Sequence, residues 1–72
     1  LNPSVYVYST GPGYLYTDAP AYDTNCMITQ VYPVPGKSFW VDVEVEDETG
    51  NWFIYADQGV KSVQVACIMN SH

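Results

Sequence analysis

Phe39-Trp40-Val41-Asp42-Val43-Glu44-Val45-Glu46 and the stretch after it, Asp47-Glu48-Thr49-Gly50-Asn51-Trp52-Phe53-Ile54-Tyr55-Ala56, decide the fold. Val41, Val43 and Val45 fall on one side, and Trp40, Asp42, Glu44 and Glu46 on the other. That is the period-two pattern of a β-strand with one dry and one wet face. Asp47 to Gly50 reads as a four-residue hairpin turn, with Gly50 where the backbone needs positive φ. Asn51 to Ala56 is the return strand.

The same alternation continues in both directions. Downstream, Asp57-Gln58-Gly59 turns the chain, and Lys61 to Met69 forms a last strand. Its Val63, Val65, Cys67 and Met69 lie on one face, with Ser62, Gln64 and Ala66 on the other. Upstream, Cys26 to Tyr32 is a strand ended by Pro33-Val34-Pro35-Gly36, whose prolines cannot donate to a ladder and so mark a loop or an edge. Val5 to Tyr8 and Tyr14 to Thr17 are shorter strands, separated by Ser9-Thr10-Gly11-Pro12-Gly13. Asp18-Ala19-Pro20 carries a turn signal. No eleven-residue window shows a helical stripe, so no helix longer than about one turn is expected. The spacing predicts one all-β domain over residues 1–72, a small barrel or sandwich of five or six antiparallel strands.

Size makes such a domain marginal. For 72 residues, folding removes about 60% of the surface of the unfolded chain. The apolar part of that burial is worth on the order of 107 kcal/mol at ~25 cal/mol/Å². Ordering the chain at roughly 1.5 kcal/mol per residue costs on the order of 108 kcal/mol. The terms cancel, so the chain needs a staple or a partner subunit. Cys26 and Cys67 supply the staple: Cys67 is in register with Val63 and Val65, and Cys26 shares its face with Ile28, so both thiols point inward. A bridge closing about 42 residues contributes roughly 4 kcal/mol in the chain-entropy model. The alternative is two unrelated buried thiols in a reducing compartment. Leu1-Asn2-Pro3-Ser4 reads as a mature N-terminus after processing, and proline spoils the glycosylation acceptor there, so a secreted, extracellular, unglycosylated protein is expected.

Composition excludes several functions. Hydrophobic content of 47% and aromatic content of 15% are too high for a disordered tail. The longest apolar runs, such as Trp52 to Ala56, are five residues, far short of a membrane span. Eight acids against two lysines and no arginine give a net charge of −6, which repels nucleic acid and anionic lipid. No cofactor is implied. The serines have only His72 as an imidazole partner, neither cysteine reads as free, and no pocket sets the strand-face carboxylates apart, so no catalytic residue is assigned and an enzyme is not expected. Two thiols and one terminal histidine make no zinc site. The acids from Asp42 to Glu48 lack EF-hand spacing and read as a solvated face and charged hairpin tip, with a weak cation site as the alternative.

The aromatics are the more informative feature. Seven tyrosines, two tryptophans and two phenylalanines exceed what so small a core can hold. Tyr6 and Tyr8 alternate with Val5 and Val7, so one of these pairs should lie outside. Tyr14 and Tyr16 share a face, and Trp40 shares the face of the acids. Exposed Tyr and Trp offer large, rigid contact area, as protein-binding and sugar-stacking surfaces do. Phe53 and one tryptophan are expected in the core.

Val5-Tyr6-Val7-Tyr8-Ser9-Thr10-Gly11-Pro12-Gly13-Tyr14 resembles the opening of a bacterial-type SH3 domain, a short strand running into a Ser-Gly-Pro-Gly turn and an aromatic residue. Gly50-Asn51-Trp52-Phe53-Ile54-Tyr55 and Gly59-Val60 are similar to the later Gly-x-Trp strand and glycine turn of that family. Thr10 is an extra residue, Tyr8 stands where the family has arginine, and Val60 is nearest the place of its second tryptophan. The resemblance implies an SH3-like barrel with an aromatic groove lined by Tyr8, Tyr14, Tyr16 and Trp52. Together these readings describe a small secreted, non-enzymatic, effector-like protein. It engages an extracellular protein or a cell-wall glycan through Tyr6, Tyr8, Tyr14, Tyr16, Trp40 and Trp52. The alternative is a secreted inhibitor or toxin that blocks another enzyme with the proline-rigid loop Tyr32 to Lys37. A homodimer is expected through the uncharged segment Tyr6 to Tyr16 or the final strand, and not through Asp42, Glu44 and Glu46.

Overall fold

The computed structural model describes residues 4–70. Six strands run in the order β1 (Ser4–Thr10), β2 (Gly13–Pro20), β3 (Thr24–Pro33), β4 (Val41–Val45), β5 (Asn51–Ala56) and β6 (Val60–Met69), with no helix among the described residues. They form two three-stranded antiparallel sheets, β1-β6-β3 and β2-β5-β4, and do not close into a barrel. Only the β4–β5 hairpin stays within one sheet; every other connection crosses between them.

The core lies between the central strands. Ile54 and Ala56 of β5 meet Val63, Val65 and Cys67 of β6, with Val60 beside them. All six are essentially inaccessible to solvent. Leu15, Val41 and Val43 pack on this cluster from the second sheet, and Tyr8, Cys26 and Val31 from the first. The alternating valines of β6 and β4 thus meet face to face. The fold is thin, with Cα extents of 45 × 27 × 12 Å. Its accessible surface of 4704 Å² exceeds the roughly 4,400 Å² typical of this mass. A core this shallow leaves much of the stability to covalent and backbone ties.

The foremost tie is the disulfide between Cys26 and Cys67, which sit directly opposite each other on β3 and β6 with Cα atoms 4.0 Å apart. The inward register of both cysteines is what allows it. Tyr6 completes that cross-strand row from β1.

Several boundaries differ from the sequence reading. Asp18-Ala19-Pro20 is no turn but the end of β2, where the ladder shifts between Tyr16 and Pro20. The Thr17 hydroxyl donates to the Trp52 carbonyl at 2.7 Å and accepts the Ala19 amide at 3.2 Å, so a side chain replaces the missing ladder bonds. Phe39 and Trp40 lie before β4, because this segment runs against the β5–β6 turn: the Trp40 carbonyl accepts the Asp57 amide at 3.1 Å. A Cβ on the buried Gly59 would stand 2.0 Å from the Ser38 carbonyl oxygen, so only glycine fits there. Gly50 has φ 74°, as its turn requires.

Under reductant the native protein should melt more than about 10 °C lower than the oxidised form, since ~4 kcal/mol is a large share of the stability of a domain this small. Intact mass before reduction should be two hydrogens below the reduced sum. A melting temperature that ignores reductant contradicts the role given to the staple.

Candidate functional site

The sheet β2-β5-β4 turns its polar-patterned face to solvent, and cross-strand register fills that face with rings. Tyr14 pairs with Tyr55, and Tyr16 with Phe53. On the other side of β5, Asp42 pairs with Tyr55 and Glu44 with Phe53. The face therefore holds four aromatic rings bordered by two carboxylates.

The rings touch. Tyr14 and Tyr16 lie side by side with centroids 6.0 Å apart and planes only 9° from parallel. Tyr14 meets Tyr55 at 4.8 Å, and Phe53 meets both Tyr14 and Tyr16 at about 6 Å. Tyr14 and Tyr16 remain 62% and 60% exposed, although tyrosines that merely closed a core would turn inward. Tyr55 leads from this platform into an open groove of about 640 Å³, whose other walls include Lys37, Ser38, Asp57 and Gln58. The groove is held by one backbone and one side-chain bond: the Val34 amide donates to the Gly59 carbonyl at 2.8 Å, and the Gly59 amide donates to Asp57 Oδ1 at 2.9 Å. Row and groove together form an aromatic ledge opening onto donors and acceptors.

The six aromatic candidates do not share one surface. Tyr14 and Tyr16 are on the platform. Trp52, one residue before Phe53, points to the opposite face of β5 and is half-buried; its Nε1 donates to the Thr24 carbonyl at 2.8 Å, tying the two sheets together. Trp40 is exposed in the segment before β4. Tyr6 and Tyr8 align with Cys67 and Val65 on the inner side of β1-β6-β3, which sends Val5 and Val7 outward. No groove unites Tyr8, Tyr14, Tyr16 and Trp52, because Tyr8 and Trp52 lie on inner faces and the other two on an outer one.

Phe53, expected in the core, is on the platform instead, and Tyr55 with it. All of Trp52-Phe53-Ile54-Tyr55 is apolar or aromatic, so within β5 only Asn51, in step with Phe53 and Tyr55, marked the wet side. The charges of Asp42 and Glu44 held that information, since their cross-strand partners must share their face.

Tyr8 stands at a second, smaller recess of about 160 Å³ between the sheets, with Tyr6, Asp18, Pro20, Thr24 and Met69. Its hydroxyl donates to Asp18 Oδ1 at 3.3 Å. Burial, and then the neighbouring Asp18 carboxylate, raise the Tyr8 pKa above the ordinary tyrosine value of 10.0. Among the described residues no three acidic, histidine or cysteine side chains converge to hold a metal. The acidic hairpin tip is held from within: Thr49 Oγ1 donates to Glu46 Oε1 at 2.8 Å, and the Gly50 amide to the Glu46 carbonyl. His72 lies outside the described residues. No helix among the described residues is long and apolar enough to cross a membrane.

Comparison with protein-family models, curated proteins and solved structures finds no match to this chain.

The Tyr8 contact has a measurable consequence. A tyrosine whose pKa is raised on folding adds stability below pH 10 that disappears as the folded form ionises at higher pH. Stability followed by urea unfolding should therefore fall less steeply above pH 10 in Tyr8→Phe than in the wild type. Parallel pH profiles would remove Tyr8 from this role.

Proposed function

We propose that the protein is a secreted, non-enzymatic module that binds a cell-wall glycan on the outer face of β2-β5-β4. The row Tyr16–Tyr14–Tyr55, leading into the groove beside Lys37, Ser38, Asp57 and Gln58, carries this reading. The face of a pyranose ring presents C–H bonds of partial positive charge, which pack on the negative face of an aromatic ring. Near-parallel neighbouring rings suit successive sugar units of an extended chain. Hydroxyls at the margin of each sugar then find the carboxylates of Asp42 and Glu44 and the polar groups of the groove. Rings already ordered on a sheet lose little freedom on binding. The disulfide supports placement in an oxidising compartment outside the cell.

A second reading, inhibition of an enzyme by Tyr32 to Lys37, is favoured by the ties that hold this exposed loop: Val34 to Gly59, and the Lys37 amide to the Val34 carbonyl at 3.2 Å. Its signature would be loss of activity in a panel of wall-directed hydrolases and proteases.

Retention on insoluble chitin, cellulose and peptidoglycan tests the leading reading. At least one should retain the wild type, and Tyr14→Ala and Tyr16→Ala should each weaken retention about fivefold or more, from ~1 kcal/mol of ring contact. Tyr22→Ala removes a ring that is 87% exposed but outside the platform, and should change nothing. Absence of retention on every polysaccharide, or retention indifferent to both platform variants, overturns the proposal.

A further inference from the structure

We infer that β1 is the seam of a homodimer, in which two copies pair antiparallel along β1 and join their β1-β6-β3 sheets into one of six strands. An unpaired strand edge is a template for another strand, and natural edges are guarded by charge, proline or a bulge. Three of the four edges here carry such guards. β4 has Asp42 and Glu44, β2 has Asp18, Pro20 and a register shift, and β3 has a register shift between Ile28 and Gln30 and ends at Pro33. β1 has none. Its seven residues, Ser-Val-Tyr-Val-Tyr-Ser-Thr, follow β6 without a break from Ser4↔Met69 to Thr10↔Val63. Among the described residues its backbone bonds to no other element.

Charge identifies a second copy as the occupant. The chain carries a net charge of −6, yet β1, β3 and β6 contain a single charged residue, Lys61 at the far end of β6. The outer face of this sheet presents Val5 and Val7, which are 56% and 65% exposed, beside Ala66, Ile68 and Met27. Self-association through β2-β5-β4 would instead bring Asp18, or Asp42 and Glu44, of two copies together at a cost. Antiparallel pairing centred on Val7 is closed by a two-fold axis, uses all seven residues, and sets Tyr6 opposite Tyr8 of the second copy. It leaves the outer face of β2-β5-β4 open.

Sedimentation equilibrium of the full chain from about 1 µM to about 1 mM tests this. The mass should rise from 8.0 kDa toward twice that value. Val7→Lys, at an exposed position, should hold the protein at the monomer mass across the whole range, since it sets two cations face to face at the axis. Tyr6→Lys should do the same, and Glu44→Lys, on the other sheet, should leave the rise intact. A circular-dichroism melt of Val7→Lys matching the wild type shows that the variant is folded. A monomer mass for the wild type at every concentration, or a dimer that survives both lysine variants, overturns the inference. Loss of the dimer in Glu44→Lys alone would place the seam on the other sheet.

Discussion

The Cys26–Cys67 bond is the constraint on which the rest of the molecule depends. β3 is a poor strand by itself: Met27, Ile28, Thr29 and Gln30 are exposed, and its ladder to β6 shifts register at Thr29. What fixes it is a covalent tie to the most buried strand in the chain, made in the fully buried row that Cys67 shares with Val63 and Val65. Because β6 also carries β1 and packs on Ile54, holding β3 to β6 fixes one whole sheet and the floor of the other. The connections that cross between sheets make nearly every pairing distant in sequence, and the staple removes part of that loop-closure cost from the unfolded chain.

With the inner faces secured in this way, the outer face of β2-β5-β4 is free to be costly. Tyr14 and Tyr16 contribute little to the core while exposed, and an aromatic surface invites unwanted association. Asp42 and Glu44 limit that liability by charging the margin of the platform, and the acidic hairpin tip adds to the repulsion. The two sheets thus divide the work. The first is nearly uncharged and cross-linked, and carries the proposed strand seam; the second is charged and aromatic, and carries the proposed ligand face. Trp52 connects them by its indole bond to Thr24, while the Thr17 hydroxyl bond to the Trp52 carbonyl ties β2 to β5 within the second sheet.

Much of this was legible in the residues. The β4–β5 hairpin, the positive φ of Gly50, the inward register of the β6 valines and the cysteine pairing all follow from alternation and turn chemistry, which are local. The partition into two three-stranded sheets is not local: whether β1 lies on β6 or on β2 depends on pairings from Ser4↔Met69 to Thr10↔Val63, which no short window contains. The site was half visible for a related reason. Tyr14 and Tyr16 stood out because Leu15 and Thr17 alternate with them. Phe53 and Tyr55 did not, because Trp52 to Ala56 is apolar throughout and only Asn51, at the strand's first position, is polar and in step with them. In Val-Tyr-Val-Tyr, too, both faces are apolar, and only the pairing of Tyr6 with Cys67 settles that Val5 and Val7 point outward.

Recognition is thus proposed to occupy a different sheet from the one the disulfide secures. Amide chemical-shift mapping of the labelled protein, titrated with a soluble oligosaccharide of whichever wall polysaccharide retains it, tests this most directly. Shifts should be confined to Tyr14–Tyr16, Asp42–Glu44, Phe53–Tyr55 and the groove residues Lys37, Ser38 and Asp57–Gly59, with β6 and the cysteine row unchanged. Shifts centred on β1 or β3, with the Tyr14 and Tyr16 signals unmoved, would contradict it.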